Sequence, residues 1–323
     1  MALELTQIQA ATNDYFKNKQ VYDNYFKSHV LLHMLMSGGK WQKNIVQPKD
    51  YADGGQKIRV FLEYNIANTG TYGNTTLIAQ SKVDILNAAR FSWGGAYTSN
   101  AIDLNERIQN TGDAAMVDLT AAKIKNMQMS IRDYMGTGVY ATHASTDDIY
   151  GLGDLFNATT STAYGSIAAD DMAVWAPGTT ASGSTMIFST LQAMRRAASV
   201  GQSTEDKPNL YITTETLRDA YENTLQTQAR YKDQTLVDAG FTNVLFGTAP
   251  VVADDKQTSG YCDALNLRFL KLMTHKDFAF TKPVWEYNKE QPDVWVANVR
   301  WIGQLTCSQR RAHVRYTSLT AAS

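Results

Sequence analysis

The chain has 323 residues with 31 acidic and 30 basic side chains, a formal charge of -1. Near-neutrality excludes a nucleic-acid binder that works through a marked basic excess. At 44% apolar and 19% charged the chain can bury a core, and two cysteines exclude a disulfide framework or a four-cysteine zinc site. The opening Met1-Ala2-Leu3-Glu4-Leu5 has neither a basic patch nor a signal-length apolar run, and stretches such as Val30-Leu31-Leu32 are too short for a bilayer. The expectation is a soluble, unprocessed cytoplasmic product with no membrane partner. Few prolines beside prominent Gly, Thr, Asn and Tyr favour sheet and turn-rich connections.

Residues 13–36 carry apolar side chains at three- and four-residue spacings, with Asn13 as a candidate cap and Gly38-Gly39 as a stop. From residue 57 the pattern changes. Ile58, Val60 and Leu62 alternate with Arg59, Phe61 and Glu63, and a turn-rich stretch from Asn68 to Asn74 follows. A second extended run passes Leu77, Val83, Ile85 and Phe91 and breaks at Gly94-Gly95. Two long arms around a loop tip are predicted, with too little apolar surface for a private core. Residues 113–135 read as the longest helix, a rod of roughly 35 Å ended by Gly136 and Gly138. Residues 141–183 are loop-rich. Helices at Ser184–Val200 and Thr214–Tyr231 then alternate with strands at Leu210–Ile212, Val244–Phe246 and Pro250–Ala253. An apolar run at Leu267–Met273 precedes strands around Phe278–Phe280, Val294–Val299 and Val314–Tyr316.

Chemistry-bearing patterns are sparse. His29 and His33 stand one helical turn apart, but Val30 occupies the place where a metalloprotease helix needs glutamate, so an ordinary amphipathic helix is expected. The other histidines, His143, His275 and His313, have no catalytic motif around them. There is no nucleophile elbow, Walker loop or dinucleotide glycine pattern. Gly94-Gly95 and Gly151-Leu152-Gly153 read as backbone turns. The pairs Asp147-Asp148, Asp170-Asp171 and Asp254-Asp255 read as solvated loop acids, and Cys262 and Cys307 as buried structural thiols. Arg195-Arg196 and Arg310-Arg311 are the only arginine doublets, suited to phosphate or to salt bridges with a neighbouring subunit. No catalytic site, cofactor or metal is predicted. What remains is a shape: a protruding hairpin, a rod helix, an α/β region and terminal strands. Extended parts that cannot bury themselves imply a partner surface, and identical copies are the simplest partner.

That order resembles the major capsid protein of tailed bacteriophages, whose fold recurs in encapsulins and in herpesvirus capsid floors. Gly151 to Phe156, then Thr162-Ala163-Tyr164-Gly165-Ser166-Ile167, then Val174-Trp175, is similar to a segment of one group of these proteins. There a Gly-Leu pair is followed by Tyr-Gly-Gly-Ile and a tryptophan; here Ser166 stands at the second glycine. Gly240-Phe241, Gly247 through Asp254, Leu265-Asn266, Gly303-Gln304-Leu305 and Arg310-Arg311 resemble later motifs of the same group. The likeness covers most of the chain from about residue 55.

The resemblance implies an α+β tailed-phage major capsid protein fold. Its parts are an N-terminal arm (1–53), an E-loop hairpin with flanking strands (54–100) and a spine helix with part of the peripheral domain (101–183). An axial domain (184–275) and peripheral-domain strands (276–323) follow. It also implies a structural virion protein that forms pentamers and hexamers around double-stranded DNA in the host cytoplasm. A separate scaffolding protein, a portal and a decoration protein are the implied partners, with DNA contacted weakly and without sequence specificity. Candidate subunit-interface residues are Ile58, Arg59, Val60, Leu62, Tyr72, Arg90, Arg195, Arg196, Arg310 and Arg311. Aspartate at Ile58, Val60 and Leu62 is expected to leave a folded subunit that cannot close a shell. No pattern marks Lys57, Lys82, Asn288 or Asn298 as a crosslink. Competing readings are an encapsulin-like compartment, an α/β enzyme without a recognised motif, and a tail tube subunit, the last disfavoured by the length and the rod helix.

Overall fold

The computed structural model describes residues 29–36, 51–73, 77, 81–109, 113–157, 163–181, 183–201, 203–225, 243–291 and 293–321. In chain order these form α1 (Val30–Met36), β1 (Tyr51–Ala52), β2 (Ile58–Glu63), β3 (Leu86–Phe91), β4 (Gly94–Ile102), α2 (Leu104–Gln109) and α3 (Asp113–Tyr140). Next come α4 (Leu152–Leu155), β5 (Gly178–Ala181), α5 (Phe188–Ala198), β6 (Leu210–Thr213), α6 (Glu215–Thr224), β7 (Asn243–Phe246) and β8 (Ala249–Ala253). The last elements are β9 (Cys262–Leu265), β10 (Leu270–His275), β11 (Trp285–Tyr287), β12 (Trp295–Cys307) and β13 (Val314–Thr317). The architecture is α+β.

A five-stranded sheet follows the order β1-β10-β12-β11, with β4 also paired to β12. On β12 the two-residue period of a strand sends Trp295, Ala297, Val299 and Trp301 inward and Asn298 and Arg300 outward. The helix α3 contributes Ile124, Met127, Ile131, Met135 and Val139 to the same core, one stripe at helical spacing. A second, mixed sheet has the order β5-β13-β9-β6-β8-β7. Its strand β6 is buried along its whole length. Leu210 and Ile212 face the first core, while Tyr211 faces a second core with Leu191, Met194, Leu217 and Tyr221 of α5 and α6. The six-stranded sheet is therefore a wall shared by two cores, which accounts for its continuous apolar strands.

Several elements differ from the sequence reading. The rod helix runs through Gly136 and Gly138 to Tyr140. A Cβ at Gly136 would lie 2.6 Å from the buried His29 ring, so this glycine is a packing notch and not a stop. Gly94-Gly95 begins a nine-residue strand instead of ending one. There a Cβ on Gly94 would come within 2.6 Å of the Asp148 carbonyl, so the glycine admits a close backbone approach. The stretch around Phe278 is a 3-10 turn, and Cys262–Leu265, for which the sequence predicts no strand, forms β9. The expected boundary at 275/276 does not follow the sheets. Strand β10 pairs with β12 in the five-stranded sheet, whereas β13 pairs with β9 and β5 in the other. Residues 13–28 of the first predicted helix, Gly38-Gly39, residues 226–231 of the Thr214–Tyr231 helix and Gly240-Phe241 lie outside the described residues.

His313 stands where the chain crosses from one sheet to the other. It is fully buried, and its Nδ1 accepts the Asn266 N–H at 3.2 Å. Burial lowers its pKa from 6.5 to about 3. The unfolded chain takes up this proton below pH 6.5 and the folded chain does not, so stability falls as pH drops through that window. The slope is about 1.4 kcal/mol per pH unit. Thermal melts near pH 7 and about pH 5 should show a smaller acid-induced loss in His313→Asn than in wild type.

Candidate functional site

The paired part of the hairpin is a six-residue antiparallel ladder running from Ile58↔Phe91 to Glu63↔Leu86. Its two faces have different fates. Ile58, Leu62, Ala89 and Phe91 are buried in the first core, and Val60 is half-buried. The opposite face presents the cross-strand pairs Arg59↔Arg90, Phe61↔Ala88 and Glu63↔Leu86, with Phe61 79% and Leu86 64% exposed. Beyond the ladder the two limbs are not regular strands in the described residues. They remain tied by Tyr64 N–H to Ile85 O at 3.1 Å and by the Asn68 amide to Ser81 O at 2.7 Å. Ile66, Tyr72 and Leu77 are exposed there. Ile58 and Leu62 thus face their own chain, contrary to the expected interface role. Phe61, read in the sequence only as an alternating residue, is the exposed apolar side chain. Arg59, Arg90 and Tyr72 are at the surface.

The ladder sits on a compact knot. Tyr164 and Ile167 exchange backbone hydrogen bonds of 3.1 and 3.3 Å around Gly165 and Ser166, whose φ angles are 61° and 64°. Positive φ at both central residues defines a type I′ turn. The left-handed backbone at Ser166 is the physical reason glycine suits that position. The Gly165 carbonyl accepts the Arg90 N–H at 2.7 Å, and the Ser166 hydroxyl donates to Arg90 O at 3.2 Å.

Beneath the turn lies Arg310, also expected at the surface, but 1% exposed. Its guanidinium donates to the carbonyls of Leu155 at 2.6 Å, Asp154 at 3.1 Å and Asn157 at 2.6 Å. It lies over the Tyr164 ring at 4.9 Å. Desolvation lowers its pKa, and the carbonyls around it belong to the last residues of α4 and to Asn157 just beyond, where the partial negative end of the helix suits a cation. Its neighbour Arg311 is exposed, as is Arg196, while Arg195 is half-buried.

Other chemistry-bearing residues also serve as joints. Asp254 is buried and not a solvated loop acid: it accepts Val30 N–H at 3.1 Å, the Tyr140 hydroxyl at 2.9 Å and Lys256 N–H at 3.1 Å. His29 Nδ1 lies 3.7 Å from its other oxygen contact, Oδ1. Burial would raise this carboxyl, but the interactions with His29, the Lys256 amide and Tyr140 outweigh it and hold the pKa below the usual value. Asp263 and Arg315, partners across β9 and β13, form a buried bidentate pair at 2.6 and 2.7 Å that the sequence did not signal. Both thiols are free and buried; burial raises both, Cys307 to about 12. Among the described residues no group of three His, Cys, Asp or Glu side chains is placed to hold a metal ion, and no helix is long and apolar enough to cross a membrane.

No protein-family model matches the chain, and no curated protein matches by sequence. Solved structures do. The capsid asymmetric unit of cyanophage A-1(L) is 13% identical with a TM-score of 0.66, over 92% of this chain and 94% of that one. The capsid of Myoviridae phage XM1 is 11% identical with a TM-score of 0.55, over 88% and 91%. The capsid of the native GTA particle, described with C5 symmetry, is 10% identical with a TM-score of 0.55, over 83% and 86%. The chain has the phage capsid-protein fold.

The knot makes two predictions. Gly165→Ala should cost about 2–4 kcal/mol in urea unfolding, because a Cβ there meets the Phe91 ring at 2.9 Å on a backbone of φ 61°. Ser166→Gly should stay within about 1 kcal/mol of wild type, since relief of left-handed strain offsets the lost hydroxyl bond. The arginine doublet should divide in the same assay: Arg310→Ala loses about 3–5 kcal/mol, and Arg311→Ala stays within about 0.5 kcal/mol.

Proposed function

We propose that this chain is the structural subunit of an icosahedral phage shell, a non-enzymatic virion protein that encloses double-stranded DNA. The observation that carries the reading is the exposed apolar surface of the hairpin: Phe61 and Leu86 on the outer face of the ladder, and Ile66, Tyr72 and Leu77 on the limbs beyond it. Apolar side chains grouped in this way mark a surface that another protein covers. In a fold shared with phage capsids, identical copies are the covering partner. Rings of five and six need head-to-tail contacts, in which one patch meets a different patch on the next copy. The hairpin is such a patch, with the neighbour's sheet and long helix as its complement. Modest contacts repeated around a closed shell add up through multivalency.

In this reading the hairpin is the E-loop, α3 the spine helix, the five-stranded sheet the peripheral domain and the six-stranded sheet the core of the axial domain. Assembly in the host cytoplasm would draw on a scaffolding protein and a portal, with a decoration protein added outside. Near-zero net charge suits packaged DNA that is contacted weakly.

The test is negative-stain electron microscopy with light scattering on the chain alone and with its scaffolding protein. Wild type should give shells, tubes or isolated five- and six-membered rings. Phe61→Ser should melt within about 0.5 kcal/mol of wild type and fail to close shells. Leu62→Asp should instead unfold the subunit by about 3–5 kcal/mol. Wild-type shells from Phe61→Ser would remove the hairpin face from the contact, and a wild-type chain that stays monomeric even with scaffold would remove the shell reading.

A further inference from the structure

The hairpin root carries cations that its own fold leaves unanswered. Arg59 and Arg90 lie directly opposite one another in the ladder. Side chains so placed have Cβ atoms about 4.5–5.5 Å apart, and like charges there destabilise the pair. Both are exposed, and Lys57 lines the same recess. Among the described residues none of these three side chains has an ion pair or hydrogen bond. Glu63, the acid on the same face, sits four residues along the strand, roughly 13 Å away.

Two cavities meet these charges. One of about 420 Å³ is lined by Gly55, Gln56, Lys57, Arg59 and Arg90. Another of about 220 Å³ shares Lys57 and Arg90 and extends to Ser92 and Ser166. The carboxylate in the wall of the second, Asp154, is already engaged: Oδ1 with His143 Nδ1 at 2.6 Å, and Oδ2 with the amides of His143 and Gly151 at 3.0 and 3.2 Å. The recess therefore presents two planar guanidinium groups and an ammonium that no carboxylate among the described residues pairs with.

We propose that this recess receives a carboxylate side chain from a neighbouring copy of the chain, an inference that rests on the shell reading above. Arginine pairs with carboxylate through two parallel N–H···O bonds, and two arginines facing one opening can hold it from both sides. The complement is present on the same molecule. Acids and bases nearly cancel overall, 31 against 30. Glu286, Glu290 and Asp293 around the β11–β12 connection are exposed and have no ion pair among the described residues. In a head-to-tail ring, unmatched cations on one edge of a near-neutral subunit meet unmatched acids on the next. The contact would also answer the Arg59–Arg90 repulsion that the isolated subunit bears.

The experiment compares nuclease-treated wild type with the Arg59→Gln/Arg90→Gln double variant of the full chain, with scaffolding protein if wild type requires it. The unassembled variant should melt at or above the wild-type temperature, because a repulsive pair has been removed. Its threshold concentration for assembly, read by light scattering at low salt, should rise roughly ten-fold or more. Its salt dependence should flatten, and Arg59→Lys/Arg90→Lys should recover part of the loss. A variant that melts lower than wild type would place the arginines' partner within their own chain and overturn the proposal. So would equal thresholds and salt slopes for the two proteins. A difference that emerges only when duplex DNA is added would assign the recess to phosphate and overturn it as well. Failure of wild type to assemble under every condition would instead sink the shell reading, and is seen before any variant is compared.

Discussion

One buried guanidinium holds the root of the hairpin in place. Arg310 opens the 3-10 turn that follows β12, yet its acceptors are the Leu155 and Asp154 carbonyls of α4, more than 150 residues earlier. A cation this deep is tolerable only when its donors find acceptors, and carbonyls at a helix end are well placed to provide them. The same side chain stacks on Tyr164, whose turn presses Gly165 beneath Ala89 and Phe91. Through that series of contacts the position of the exposed arm is set by the core below it. An arm with only six paired residues on each limb has little else to fix its direction.

The motifs that carried the resemblance to phage capsid proteins turn out to be joints of this kind. Gln304 donates to the carbonyls of Ser92 and Asp148 and accepts from Tyr150 N–H, so it links β12 to the two loops beside it. Asp254 brings together the start of α1, the end of α3 and the segment after β8. Asn266 clamps the carbonyls of Glu205 and Lys207 and donates its own N–H to His313. Each satisfies buried backbone where two layers meet, a requirement that follows from the cost of leaving such groups unpaired. The specificity of the pattern is architectural.

The outer face of the hairpin obeys the opposite rule. The core side is closed by Ile58, Leu62 and Phe91, while the other side leaves Phe61, Leu86 and an arginine pair in water. A strand cannot avoid this alternation, because its side chains leave the backbone on opposite sides. The structure supplies one covering for two faces, and the second face is where the function is sought.

Much of the architecture could be read from the residues alone. The alternation of Ile58 to Glu63, the stripe along the rod helix, the strands flanking Gly247-Thr248 and the buried thiols are local consequences of period and polarity. The order of these elements was enough to point to a capsid-type chain. Burial could not be read in this way. Alternation announces two faces without saying which is covered, so the sequence does not distinguish the buried Ile58 and Leu62 from the exposed Phe61. Adjacent arginines look alike, yet a 3-10 turn sends Arg310 inward and Arg311 to solvent. Gly136 reads as a helix end in the sequence because its partner, His29, lies more than 100 residues away. Propensity and pattern are properties of neighbours in the chain. Which face is buried, which charge is paired and which glycine is a notch depend on contacts across the fold, and only the tertiary structure decides them.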